Sequence, residues 1–211
     1  MGEHTVHGDD ACGCGCDTKS DGFFPIVGAT VPDFGGEVYQ DEAFKKINLS
    51  DYRGQWLVLF FYPADFTFIC PTELEDLADN YATFKELGAE ILSVSTDTVF
   101  VHKAWHDHSD AVRKVKYPMF ADPTGNLARL FETYLEEEGV SLRGTFLIDP
   151  DGVLQAVEVN ANNIGRSSDE LLRKLRAAQF VRDHGGFEVC PAKWKPGSKS
   201  LTPGIDLVGK I

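Results

Sequence analysis

The chain has no long apolar run. The longest, Trp56–Tyr62, is well short of the roughly 20 residues that carry a helix across a bilayer. No membrane-spanning helix is therefore expected. Basic residues are also scarce: 20 Lys and Arg stand against 33 Asp and Glu, for a net charge of −13. That balance excludes nucleic acid as an expected partner, because affinity for phosphate backbones rests largely on Lys and Arg displacing counterions. The opening MGEHTVHGDDACGCGC is acidic, with no basic stretch leading into an apolar one, so no secretory signal is expected. Gly2 begins like a myristoylation site, but Val6 stands where Ser or Thr is required. Two further patterns are missing. No Gly-rich dinucleotide fingerprint occurs, so no NADH or flavin is expected by that route, and no two cysteines stand at C-x-x-C spacing. Five cysteines without an export signal point to the reducing cytoplasm, where Cys serves catalysis, redox exchange or metal binding more often than a static disulfide framework.

What is present fits one globular domain. The 211 residues are 43% hydrophobic and 25% charged, near soluble-domain averages. Residues 1–24 have almost no large apolar side chain before Phe23 and Phe24, which predicts a flexible Cys/Gly/His-containing extension. A domain is expected over 25–186, followed by a Pro-, Gly- and Lys-rich C-terminal arm over 187–211 that carries Cys190 on a more mobile tail. Within the domain, Trp56–Tyr62 between Gly54 and Pro63 reads as a central strand buried on both faces. Leu74, Leu77, Ala78, Tyr81 and Phe84 then recur at helical spacing up to Gly88, and Pro71 suits a first turn. Cys70 is thereby placed at a helix N-terminus. Ala89–Ser95 reads as a second strand, parallel to the first, and Val99–His108 as a short helix. Leu127–Tyr134 also looks helical. TFLID, PDG and VLQAVEV form a predicted hairpin. Ser167-Ser168-Asp169-Glu170 offers a capping box for a last helix, which Gly185-Gly186 ends.

Cys70 is the first candidate for chemistry. A thiol attacks as thiolate, and a free thiol with a pKa near 8.5 is only about 3% ionised at neutral pH. A helix N-terminus favours the charge by about 0.3–1 kcal/mol, less than the 1.36 kcal/mol of one pKa unit. A cation is therefore needed as well. Thr67 stands one helical turn before Cys70, where its hydroxyl could donate to sulfur or to a bound oxygen. The plain alternative for a cysteine after a buried strand is an inert core thiol.

The stretch PADFTFICPTE, residues 63–73, resembles the peroxidatic motif of the two-cysteine peroxiredoxins, and EVCPAKW around Cys190 resembles their resolving-cysteine motif. The likeness continues through TDTVFVHKAWHD, YPMFADPTG, LRGTFLIDPDG and IDLVGKI, from about Pro25 to Ile211, and is nearest to the bacterial alkyl hydroperoxide reductase type. It implies an α/β, thioredoxin-like fold with a central mixed sheet flanked by helices. Cys70 would be the peroxidatic nucleophile, Pro63 would shield the pocket, Thr67 would bond sulfur and peroxide, and Arg143 would supply the guanidinium. Glu73 matches the acidic position beside the motif and would orient an arginine; as a first-turn carboxylate it is equally ordinary. The resemblance also implies a thiol-specific peroxidase that reduces hydrogen peroxide and organic hydroperoxides without cofactor or metal. Cys190 would close an intersubunit disulfide with Cys70 in a homodimer, five such dimers would form a ring, and a dithiol protein, thioredoxin or a dedicated reductase, would recycle it. Because Cys70 starts in a pocket, its first helical turn would have to unwind. The GGLG insertion and YF-containing terminal helix of some eukaryotic relatives are missing, which implies resistance to overoxidation.

Other signals are weaker. Cys12, Cys14 and Cys16, with His4 and His7 upstream, are candidate ligands for Cu(I) or Zn²⁺ or a disulfide relay, although zinc sites generally space their ligands more widely. The alternative is a solvated tail without a defined role. His102 and His106 share a helical face, but Lys103 stands where a zinc protease needs Glu, so packing or surface histidines are expected. Asp149–Gly152 reads as a turn, since later calcium ligands do not follow. Competing functions are a thiol–disulfide oxidoreductase, disfavoured without C-x-x-C, and a ring-forming chaperone or metal-binding module.

Overall fold

The computed structural model describes residues 22–211. The expectations placed on Cys12, Cys14 and Cys16, and most of those on the extension, lie outside the described residues. The described chain begins with the hairpin β1 (Gly35–Gln40) and β2 (Ala43–Asn48). Next come β3 (Trp56–Phe61), α1 (Cys70–Asp79), α2 (Tyr81–Glu86), β4 (Ala89–Ser95), α3 (Val99–His108), β5 (Met119–Ala121) and α4 (Asn126–Leu130). The last elements are β6 (Tyr134–Leu135), β7 (Val140–Ser141), β8 (Arg143–Ile148), β9 (Leu154–Asn160) and α5 (Ser168–Asp183). Seven strands form one sheet in the order β2-β1-β5-β4-β3-β8-β9. β3 runs parallel to β4 and β4 to β5, while β8 pairs antiparallel with both β3 and β9. This is the expected mixed sheet with flanking helices.

The run WLVLFF explains why β3 is central. All six side chains are buried, and the strand's two-residue period sends them alternately to opposite faces. Trp56, Val58 and Phe60 join one core with Leu74 and Leu77 of α1, Phe84 of α2 and Leu171, Leu172 and Leu175 of α5. Leu57, Leu59 and Phe61 join a second core with Phe120, Phe131 and Phe146. At about 1.5–3 kcal/mol for each large apolar side chain, β3 alone contributes on the order of 10 kcal/mol of gross burial energy. That burial fixes the carboxyl end of β3, from which the site-bearing loop departs.

Several expectations need correction. Ser167 stands at the N-cap of α5, but its side chain makes no cap bond. The amide of Ser168 instead donates to Asp76 Oδ2 at 2.7 Å, and Asn80 Nδ2 donates to Ser168 Oγ at 2.9 Å. α5 docks its first turn against α1, so a side chain from α1 supplies the acceptor that the local motif offered. The helix expected over Leu127–Tyr134 stops at Leu130. Glu132 adopts φ 54°, a conformation that ends a helix, and Tyr134–Leu135 pairs instead with Val140–Ser141. The helix after Cys70 divides at Asn80 into α1 and α2. The arm folds back on α5: Val189 pairs with Leu201, and the buried Trp194 ring lies 4.8 Å from that of Phe180. The Asp149–Gly152 turn is as expected, with Asp149 Oδ1 accepting from the amides of Asp151 and Val153.

Candidate active site

The chain leaves β3 through Tyr62 and the buried Pro63, and re-enters regular structure at Cys70, the first residue of α1. Pro71 follows in the first turn, where its missing N–H leaves no donor unsatisfied. Cys70 is fully buried. The positive end of α1 and a cation converge on it: Arg143 Nη1 donates to Cys70 Sγ at 3.4 Å. Arg143 opens β8, which lies beside β3 in the sheet, so strand pairing across a separation of 73 positions brings guanidinium and sulfur together.

Arg143 is held on its other sides. Its Nη1 donates to Glu73 Oε2 at 2.6 Å, and its Nε and Nη2 donate to the Asn162 carbonyl at 3.0 and 2.9 Å. Glu73 is at once a first-turn carboxylate of α1 and a partner of the Arg143 guanidinium. Glu73 also binds a guanidinium that sequence reasoning missed, that of Arg166. The Arg166 Nε donates to Glu73 Oε1 at 2.9 Å and its Nη2 to Oε2 at 3.1 Å. Further bonds run to the carbonyls of Gly144 and Phe61 at 2.9 Å, and its guanidinium lies 3.4 Å from the Phe60 ring centre. Burial presses the Arg166 ionisation downward, and the Glu73 hydrogen bond opposes it. The cluster of Arg143, Arg166 and Glu73 holds two positive charges and one negative. Buried charge is expensive unless paired, and the unmatched positive charge lies against sulfur. A thiolate would complete the balance.

Thr67 Oγ1 donates to the Ala64 carbonyl at 2.9 Å. Its proton is spent there, so what Thr67 offers is the oxygen's lone pairs rather than the donation to sulfur that its position suggested. The Cys190 thiol, the only other cysteine among the described residues, is also free and partly buried. It donates weakly toward the Ala177 carbonyl of α5 at 3.8 Å, and burial raises its pKa above that of a free thiol. A raised value leaves less thiolate at any given pH. Alkylation of Cys190, followed by peptide mass spectrometry, is therefore expected to accelerate only above the pH range of an unperturbed thiol, and to become faster at neutral pH once the fold is denatured.

His102 is fully buried and bonded to Asp65, His106 is nearly so, and His108 is exposed. The packing reading thus describes the first two. Among the described residues no helix is long and apolar enough to cross a membrane.

A mixed α/β sheet that presents a buried cysteine at a helix start, against a guanidinium, defines a thiol-based redox enzyme. The AhpC/TSA family model matches residues 27–157, and the C-terminal domain model of 1-Cys peroxiredoxin matches residues 177–206. The chain is 54% identical over 188 residues to an alkyl hydroperoxide reductase C of Staphylococcus epidermidis, covering 88% of this chain and 99% of that protein. Its identity to the Bacillus subtilis protein of that name is 53% over 186 residues, with coverage of 88% and 99%. The crystal structure of Enterococcus faecalis AhpC superposes with a TM-score of 0.76 at 45% identity, covering 78% of this chain and 98% of that one. Reduced 2-Cys peroxiredoxin of Plasmodium vivax gives 0.81 at 35%, covering 85% and 94%. The chain belongs to the AhpC/TSA family of peroxiredoxins, with the thioredoxin-like fold and thiol-dependent peroxidase activity of that family.

Proposed function

We propose that the chain reduces hydrogen peroxide and organic hydroperoxides at Cys70 and returns to the reduced state through a disulfide with Cys190 of a partner subunit. The observation that carries this reading is Cys70 Sγ at the start of α1 with Arg143 Nη1 at 3.4 Å. The thiolate attacks one peroxide oxygen, the O–O bond breaks, and the second oxygen leaves as water or alcohol after taking a proton. Sulfur becomes a sulfenic acid. Arg143 stabilises the charge that builds on the oxygens, Thr67 accepts from the peroxide hydroxyl, and the buried Pro63 keeps water from sulfur. Glu73 and Arg166 hold Arg143 in place.

The Cys190 thiol then attacks the sulfenic sulfur, water leaves, and a dithiol protein such as thioredoxin or a dedicated reductase reduces the disulfide. Cys70 is wholly buried in its helix turn and a disulfide needs sulfurs about 2 Å apart, so the first turn of α1 unwinds in this step. We read the molecule as residues 25–186 for the peroxidase domain and 187–211 for the resolving arm, working in the cytoplasm as a homodimer within a ring of five dimers. Exposed Phe44, Phe66, Phe68 and Phe100 supply apolar surface of the kind that assembly covers. One equivalent of peroxide is expected to give a covalent dimer on non-reducing electrophoresis that disappears in both Cys70→Ser and Cys190→Ser. Monomer persisting in the fully oxidised wild type rules out the intersubunit route.

A further inference from the structure

The loop between β3 and Cys70 is held from outside by groups that the chemistry above does not use. His102 Nδ1 lies 2.7 Å from Asp65 Oδ2, and both side chains are wholly inaccessible. The other ring nitrogen, Nε2, lies 3.2 Å from the Phe120 carbonyl of β5. Both ring nitrogens are thus bonded, and the imidazole bridges the Asp65 carboxyl to the backbone of β5. Tyr62 donates its hydroxyl to Asp65 Oδ1 at 2.7 Å. The Asp65 amide donates to Asp97 Oδ2 at 2.8 Å, and Ser95 Oγ donates to the same oxygen at 2.8 Å. Burial pushes the Asp65 carboxyl up and the His102 bond holds it down. Asp65 thus ties the loop to α3 directly, to β5 through His102 and to the end of β4 through Asp97.

The residue so anchored precedes a strained one. Phe66 adopts φ 55°, a conformation that a bulky residue keeps only when its surroundings impose it, and its ring meets Trp105 of α3 at 5.9 Å. Thr67 follows, then Cys70. Releasing Asp65 would let this turn relax and take the start of α1 with it.

We propose that Asp65 and His102 are a positioning pair that keeps the Cys70 loop folded, and so set how the oxidised Cys70 divides between its two fates. This rests on the reading that Cys70 forms a sulfenic acid. In the folded loop that acid meets a second peroxide: another S–O bond forms, the O–O bond breaks, water leaves, and sulfinic acid results. In the unwound loop it meets the Cys190 thiol, an S–S bond forms and water leaves. The pair favours the first geometry at the expense of the second.

The test titrates the full-length reduced protein with hydrogen peroxide under turnover with a dithiol, and reads Cys70 sulfinic acid by peptide mass spectrometry. His102→Asn is expected to raise the peroxide concentration that half-converts Cys70 to sulfinic acid by about tenfold, the worth of a buried charge-assisted bond. Tyr62→Phe keeps the ring and removes only the hydroxyl that feeds Asp65; it is expected to move the same midpoint upward by about threefold. Asp65→Asn combined with His102→Asn is expected to add little to either alone, since the two act as a unit. A midpoint unchanged or lowered in both His102→Asn and Tyr62→Phe overturns the proposal, whatever happens to thermal stability. Failure of the underlying peroxidase reading looks different, because the wild type would then form neither disulfide nor sulfinic acid.

Discussion

Cys70→Ser loses peroxide reduction by roughly 10⁴-fold or more, the scale on which enzymes lose turnover when their nucleophile is removed. A serine hydroxyl is not ionised at neutral pH and does not take oxygen from a peroxide, so no slower version of the reaction remains at that position. Serine matches cysteine closely in shape, and Cys70 is packed with Leu74 and Leu77 in the core beneath α1. The fold is therefore kept, as circular dichroism and an unchanged elution volume would verify. Stopped-flow measurement of peroxide consumption by the reduced variant provides the rate. Retention of near wild-type reaction would move the chemistry to another thiol.

Arg143→Met has the second largest expected effect, a fall of about 10²–10³ in the second-order rate constant with peroxide, comparable to removal of one preorganised donor from an oxyanion site. In the proposed mechanism the guanidinium at 3.4 Å from sulfur meets both the thiolate and the developing oxygen charge, to which the dipole of α1 adds at most about 2 kcal/mol. Stability suffers less than the loss of a buried ion normally implies, because Glu73 keeps Arg166 at 2.9 Å and does not become an unpaired charge. Arg143→Lys keeps a point charge and loses the fork that reaches Glu73, sulfur and the Asn162 carbonyl together, so it falls between wild type and Met. A rate within threefold of wild type for Arg143→Met would remove this residue from the reaction.

Much of the framework could be read from the sequence because it follows from local periodicity. The apolar run at β3 places a strand buried on both faces, and the spacing after Pro71 places a helix directly behind Cys70. The pairing of Arg143 with Cys70 is different in kind: it depends on β8 lying beside β3, which no local pattern reports, and only the resemblance of LRGTF to a known motif supplied it. Arg166 had a local signal that went unread, a lone arginine beside Gly165 at the entrance to α5 in an acidic chain. The Asp65–His102 bond spans 37 positions, and helical spacing directed attention instead to His102 with His106. Where a local motif failed, a tertiary contact had replaced it: Asp76 caps α5 across the α1 interface.

The most direct test of the account is where the first oxidised sulfur appears. Reduced Cys190→Ser and Cys70→Ser are each treated with one equivalent of hydrogen peroxide in the presence of dimedone, which traps sulfenic acid, and the adduct is located by peptide mass spectrometry. The account predicts an adduct on Cys70 in Cys190→Ser and no comparable adduct in Cys70→Ser. A principal adduct on Cys190, or on Cys12, Cys14 or Cys16, would contradict it.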